Sequence, residues 1–442
     1  MKTNWIVTGR LMVDIPLTEF TANTPLVNAE VNISARKFGN NIWNSWGKVR
    51  TDSEGRFTLT KEKNNDKRQF KIEVKFEDDE LGVYGDELGG LLSTARFSAK
   101  WILAHQDGGG VSRGAGTTEL FDITFSDNSS SSTAPERSEF NNVRNAALWH
   151  IYKKIIRFMS DGGVPFTSKV HVKYPHEGVK KDIKETSFAD PFNKMIYIIK
   201  NSARDQFTLN ILIHELMHIW MYGHCSGEFR MATQGLIHRG THDARQNKTF
   251  VAFQEGFAEW AKNRLLELVF AQTTPVSSYG YPDNGLPLLR SKLISIGASS
   301  LEEMPHYEEV WNSIFNFFTV GNLHELDLNT NSIADEVHAE RSNIQPPFII
   351  CHSPNIGFTG LLKIFLKDKD KGHRDYIEEN EMDLENFLTR LCDMSAPYRN
   401  KKEDLKALLD PAGTLLPSGL FCGPNLFSKK STRKLVTEEI SN

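Results

Sequence analysis

IHELMHIWMYGH, residues 213–224, places three histidines and a glutamate inside an otherwise apolar run. From Phe207 to Tyr222 the apolar side chains Leu209, Ile211, Leu212, Ile213, Leu216, Met217, Ile219 and Trp220 fall on nearly every face of a helix, so the segment reads as a helix buried on most sides. Polar groups in such a helix need partners, because a buried donor or acceptor without one is costly. Residues four apart on a helix lie one above the other, so His214 and His218 present two imidazoles toward one point, with Glu215 beside them. A Zn²⁺ ion at about 2.0–2.1 Å from each ring nitrogen would satisfy both rings. This HExxH spacing also places Glu215 to take a proton from water activated by the metal.

Catalytic zinc takes three protein ligands and keeps one position open, so another ligand must come from elsewhere in the chain. Three candidates lie downstream. Glu255 sits in FVAFQEGFAEWAKN, residues 250–263, a second helix whose Phe253, Phe257, Trp260 and Leu265 mark a buried side and whose Gly256 permits close helix approach. His224 has the spacing from His218 of HExxHxxGxxH, but Met221 occupies the glycine position, and a bulky side chain disfavours the left-handed turn required there. At the helix end, His224 also suits the negative pole of the helix dipole. Asp243 closes GTHD, residues 240–243, a partial match to the GTxD motif, while His242 is a candidate to line the cleft.

HELMH, followed about 37 residues later by EGFAEW, resembles the gluzincin branch of the zincin metallopeptidases. The resemblance spans about residues 190–265. It implies that Glu255 is the third ligand and that Glu259, one turn further on, hydrogen-bonds a metal-binding histidine and fixes its orientation. The gap between the motifs exceeds that of the thermolysin-like and aminopeptidase members, which makes residues 225–249 an insertion.

The rest of the chain falls into segments of different rhythm. AEVNISARK, GRFTLT and RQFKIEVKF alternate apolar and polar residues and are separated by turn-formers such as Asp52–Gly55, so residues 1–128 read as an all-β sandwich. PLVNAEVNI and WGKVRTDSEGRFTL, within about residues 5–80, resemble the transthyretin-like or carboxypeptidase-regulatory-like modules that often precede peptidase domains. The serine-rich tract at 129–137 reads as a linker. Val143, Ala147, Ile151, Ile155 and Phe158 then predict a helix that stops at Gly162 and Gly163, followed by strands at SKVHVKY and KMIYIIK. Residues 138–270 are therefore expected to form an α+β, zincin-like catalytic core, and residues 271–442 a mainly helical subdomain that includes LENFLTRLCD and KEDLKALLDP. The 442 residues suffice for two or three such domains.

Composition narrows the function. Lysine and arginine number 52 against 56 acidic residues, a net charge of −4, and no basic stretch interleaved with aromatics suggests nucleic acid. No run is long and apolar enough for a transmembrane helix, and the opening residues alternate like a strand, which leaves the cytoplasm as the default location and a non-standard export route open. The four scattered cysteines read as ordinary thiols. The expected activity is zinc-dependent hydrolysis of a protein or peptide substrate, with Glu215 as general base. His242, Tyr279, Tyr281, His306 and Tyr307 are candidate oxyanion donors, and KMIYIIK a candidate edge for an extended substrate. The alternative is an inactive zincin-fold adhesion protein that recognises a partner through its sandwich.

Overall fold

Lys2–Val13 form one long strand in which Trp5, Val7, Gly9 and Leu11 are buried at alternate positions. The computed structural model describes residues 2–20, 22–37, 39–64, 66–85, 100–103, 118–126, 137–176, 186–200, 205–224, 245–246, 249–272, 297–316, 318–319, 323–327, 332–333, 348–352, 356–366, 384–410 and 422–424. The described chain divides into two compact units, one of Met1–Gly223 with Ile237–Arg239 and Leu265–Gln272, the other of His224–Leu236, Gly240–Arg264 and Thr273–Asn442.

In chain order the first unit contains β1 (Lys2–Val13), β2 (Thr24–Pro25), β3 (Glu30–Lys37), β4 (Asn44–Arg50), β5 (Arg56–Asn64), β6 (Arg68–Lys75), β7 (Leu81–Tyr84), β8 (Lys100–Leu103) and β9 (Thr118–Phe125). These are followed by α1 (Arg137–Asp161), β10 (Val170–His176), β11 (Phe188–Asp190), β12 (Met195–Ile199) and α2 (Leu209–His224). One sheet has β1 at its centre, antiparallel to β5 and β2 and parallel to β9; a second runs β4-β3-β6-β8, antiparallel throughout. Trp5 on β1 meets Trp46 on β4 and Phe70 on β6, with ring centroids 6.5 and 5.7 Å apart, so the two sheets face each other across an aromatic core. The turn into β5 follows its residues: Asp52 accepts the backbone N–H groups of Glu54 and Arg56 at 2.9 and 2.8 Å. Gly55 sits at φ +74°, where a Cβ would lie 2.3 Å from the Leu11 carbonyl oxygen.

A third sheet has the order β11-β12-β10-β7, in which β7, β10 and β12 are parallel and β11 runs antiparallel. It departs from two expectations. KMIYIIK, expected as an edge, becomes β12 and is paired on both sides, so the end strands of the order among the described residues are β11 and β7. The division expected at 129–137 also does not separate the compact units, because β7, from the N-terminal stretch, joins the sheet of β10 and β12. Helix α1 seals that connection: its Trp149 indole donates to the Val27 carbonyl at 2.9 Å and its ring lies 6.3 Å from Phe76. Leaving that buried N–H without an acceptor would cost about 1–3 kcal/mol. Most of the serine-rich tract lies outside the described residues.

The second unit contains most of α3 (Thr249–Phe270), then α4 (Glu308–Asn316), β13 (Leu323–Asp327), β14 (Ser332–Ile333), β15 (Phe348–His352), α5 (Gly357–Phe365), α6 (Leu384–Met394), α7 (Lys402–Leu409) and β16 (Cys422–Pro424). The helices expected at LENFLTRLCD and KEDLKALLDP are α6 and α7, the latter ending before Pro411. The C-terminal part is not helical alone: β14-β13-β15-β16 form a fourth sheet. Its strands are short, and the sequence pattern that marks alternation is weak over two to five residues. Taken together, strands and helices give a multidomain α+β architecture.

Candidate metal centre

Helix α2 begins where Thr208 caps it, its hydroxyl accepting the Ile211 N–H at 3.4 Å. The approach is fixed by Asp205, whose two carboxylate oxygens take the Arg144 guanidinium at 2.7 and 2.6 Å. From there the helix is apolar on all sides, with Leu212, Ile213, Leu216, Met217 and Trp220 fully buried, as the sequence predicts. The Trp220 indole donates to the Val164 carbonyl at 2.9 Å, and the Tyr152 hydroxyl of α1 donates to the Leu212 carbonyl at 2.9 Å. Burial, with the Glu215 carboxylate adding to it, pushes the Tyr152 hydroxyl well above its ordinary pKa, so this phenol stays protonated beneath the helix.

On this scaffold the Nε2 atoms of His214 and His218 lie 3.1 Å apart, with ring planes at 84°. Two metal–nitrogen bonds of about 2.0–2.1 Å at a tetrahedral angle place their nitrogens roughly 3.3 Å apart, so the rings stand nearly as one ion would hold them. His218 is buried and stacks on Tyr222 one turn further along, with centroids 5.9 Å apart and planes 13° from parallel. Glu215 is 9% exposed.

Glu255 comes from α3, a helix held by aromatic packing. Phe253 and Phe257 flank Glu255 in sequence and meet Phe315 and Phe365 at centroid distances of 5.6–6.0 Å. Trp260 packs on Phe358 at 5.2 Å and donates to the Thr319 hydroxyl at 3.2 Å. A Cβ on Gly256 would lie 2.5 Å from the Glu308 carbonyl oxygen and 2.6 Å from the Trp311 Cβ, so the missing side chain is what lets α4 approach α3. The buried Gln254 amide donates to a Glu255 carboxylate oxygen at 3.3 Å.

His214, His218 and Glu255 each offer a ligand atom, and these atoms all lie within 4.8 Å of one another, so the three could hold a metal ion. The other sequence candidates stand differently. His224 is the last residue of α2 and is not among the three; the chain stays helical through Met221 and Gly223 and never makes the left-handed turn a third histidine would need. Glu259 lies one turn beyond Glu255 and accepts from Lys262. His306 donates from Nδ1 to the Gln246 carbonyl at 2.8 Å, and Tyr307 is buried, its hydroxyl raised chiefly by that burial. Asp243, His242, Tyr279 and Tyr281 lie outside the described residues. Sequence reading passes over Gln254 and Tyr152, because their roles arise from contacts that no local spacing encodes. No helix among the described residues is long and apolar enough to cross a membrane.

No family model matches the chain, and no curated protein does. Among solved structures, a 9R-lipoxygenase from Cyanothece PCC8801 is similar over 38% of this chain and 25% of its own, at 17% identity and a TM-score of 0.17. A likeness of that size carries no argument about fold or activity.

Proposed function

We propose that the protein is a zinc-dependent, gluzincin-like metallopeptidase, with His214, His218 and Glu255 as the ligands and Glu215 as the general base. The observation that carries this reading is the grouping of three ligand atoms within 4.8 Å, with the Glu215 carboxylate next in sequence to one of them. Two imidazoles and a carboxylate are a donor set that suits catalytic zinc and leaves one position open. When bound there, zinc would polarise a substrate carbonyl and bring the pKa of water toward about 7.

Glu215 accepts the proton of the attacking water and then delivers it to the leaving amine. Its low exposure limits competing solvent, and the protonated Tyr152 beneath the same helix cannot act as a second base. Gln254 holds the Glu255 carboxylate by one oxygen. The role of Glu259 as orienter of a ligand histidine rests on the gluzincin resemblance. Among the described residues, His306 gives its Nδ1–H to the Gln246 carbonyl, which in the neutral ring makes Nε2 an acceptor, so this histidine is not assigned as a donor to the oxyanion. An extended peptide would add to β11, the end strand next to β12 among the described residues, in place of β12 itself.

The test compares the wild type with Glu215→Gln for bound zinc and for cleavage of a broad peptide library. The expected result is retained zinc with cleavage reduced by about 10²–10⁴-fold. Undiminished cleavage by the variant would remove Glu215 as the base. Stoichiometric zinc without any cleavage by the wild type would favour the inactive, partner-binding alternative.

A further inference from the structure

The four cysteines show no pairing pattern in sequence, and two of them, Cys351 and Cys422, are separated by about 70 residues. The fold removes that separation. Strand β15 lies between β13 and β16, and its antiparallel register with β16 pairs Ile349 with Pro424, Ile350 with Gly423, and Cys351 with Cys422. The register of β15 is also fixed from its other side by five consecutive pairs with β13, among them His324 with Cys351. The two cysteines therefore stand directly opposite each other on neighbouring strands.

The parity of the ladder adds a second constraint. Opposed residues in an antiparallel pair alternate between those that exchange two backbone hydrogen bonds and those that exchange none. Proline has no N–H to exchange, so Ile349 and Pro424 must occupy a non-hydrogen-bonded pair. Two positions along, Cys351 and Cys422 share that parity. Non-hydrogen-bonded pairs bring Cα atoms to about 4.5 Å, the closer of the two spacings and within the roughly 4.4–6.8 Å that a disulfide spans.

We propose that Cys351 and Cys422 form a cross-strand disulfide that staples β16 to β15. Each thiol gives up one proton and one electron. One thiolate attacks a sulfur of an external small-molecule or protein disulfide and expels a thiol, and the second thiolate then displaces the remaining thiol from the mixed disulfide. The bond closes a loop that contains α5, α6 and α7. Phe358, Phe365 and Phe387 of those helices pack in the aromatic core around Phe253, Phe257, Trp260 and Phe315, so the staple constrains the segment that supports α3. Cys392 on α6 is a poor competitor, because it is buried and its thiol is raised by that burial. This inference stands independently of the peptidase reading, since it depends only on the sheet.

Full-length protein is equilibrated with oxidised glutathione, alkylated without reduction, digested and mapped by mass spectrometry. The expected result is one linked peptide pair joining Cys351 to Cys422, with Cys225 and Cys392 alkylated. Four alkylated cysteines, or a linkage between any other pair, would overturn the proposal. Cys351→Ser should leave three alkylated cysteines. In the wild type, prior reduction should lower the Tm by about 5–10 °C, a difference that Cys351→Ser abolishes. Should that variant fail to fold, the mapping of the wild type decides the matter alone.

Discussion

Helices α2 and α3 supply the same candidate site in opposite ways. In α2 two candidate ligands lie one turn apart, so their convergence is a property of helical geometry and needs only that the helix form. In α3 a single carboxylate is aimed by the packing of Phe253 and Phe257 into an aromatic core and by the contact that Gly256 permits with α4. The first arrangement is local and stiff. The second depends on residues from α4, α5 and α6, distant in sequence, and should be the more vulnerable to remote change.

The largest effects test whether both helices are needed. His218→Ala and Glu255→Ala should each lose metal by more than the roughly 10–100-fold that removal of an outer-sphere partner costs, measured by competition with a chromogenic chelator. His224→Ala should leave the affinity unchanged. If Glu255→Ala kept its metal while His224→Ala lost it, the contrast between the helices would be void.

The next test separates local from remote support. Phe315→Ala, in α4 and far from the ligands in sequence, should destabilise the second unit by about 3–5 kcal/mol in denaturant unfolding and weaken metal binding as α3 loses its backing. Tyr152→Phe, which removes only the hydroxyl under α2, should cost about 0.5–1.5 kcal/mol and leave metal affinity nearly intact. Equal loss of metal affinity in the two variants would contradict the asymmetry. Gly256→Ala should fall between them, about 1–3 kcal/mol, because its new methyl meets backbone that cannot swing away.

A separate effect concerns acid. Burial, reinforced by the nearby Lys154 charge, lowers His150 on α1 from 6.5 to about 4, against the opposing hydrogen bond with the backbone of Pro25. The unfolded chain therefore binds a proton there between about 6.5 and 4 that the folded chain refuses. This part of the stability is fully present above 6.5 and is lost as pH falls toward 4, amounting to roughly 2 kcal/mol once partial exposure is allowed for. His150→Phe should flatten the dependence of unfolding free energy on pH across that window, and an unchanged slope would assign the acid sensitivity to other groups.

Much of this organisation is legible in the sequence where short-range geometry governs. Alternation marks β1, β3, β5 and β6, the Asp52–Gly55 turn follows from its residues, and the i, i+4 histidines of α2 follow from apolar periodicity with polar interruptions. Where partners are chosen across the chain, the same reading falls short. Nothing local says that β7 will join β10, that β11 will cover β12, or that four short strands will form a sheet among the C-terminal helices.

By itself, then, the sequence determined the longer elements, the paired imidazoles and the carboxylate beside them, because backbone periodicity over a few residues suffices to place them. Only the tertiary structure brought the Glu255 carboxylate within reach of the two rings, kept the chain helical through His224, and set Cys351 opposite Cys422. Those outcomes depend on which apolar faces and strand edges find each other, a choice made by burial and hydrogen-bond pairing over the whole chain, and no motif of fixed spacing records it.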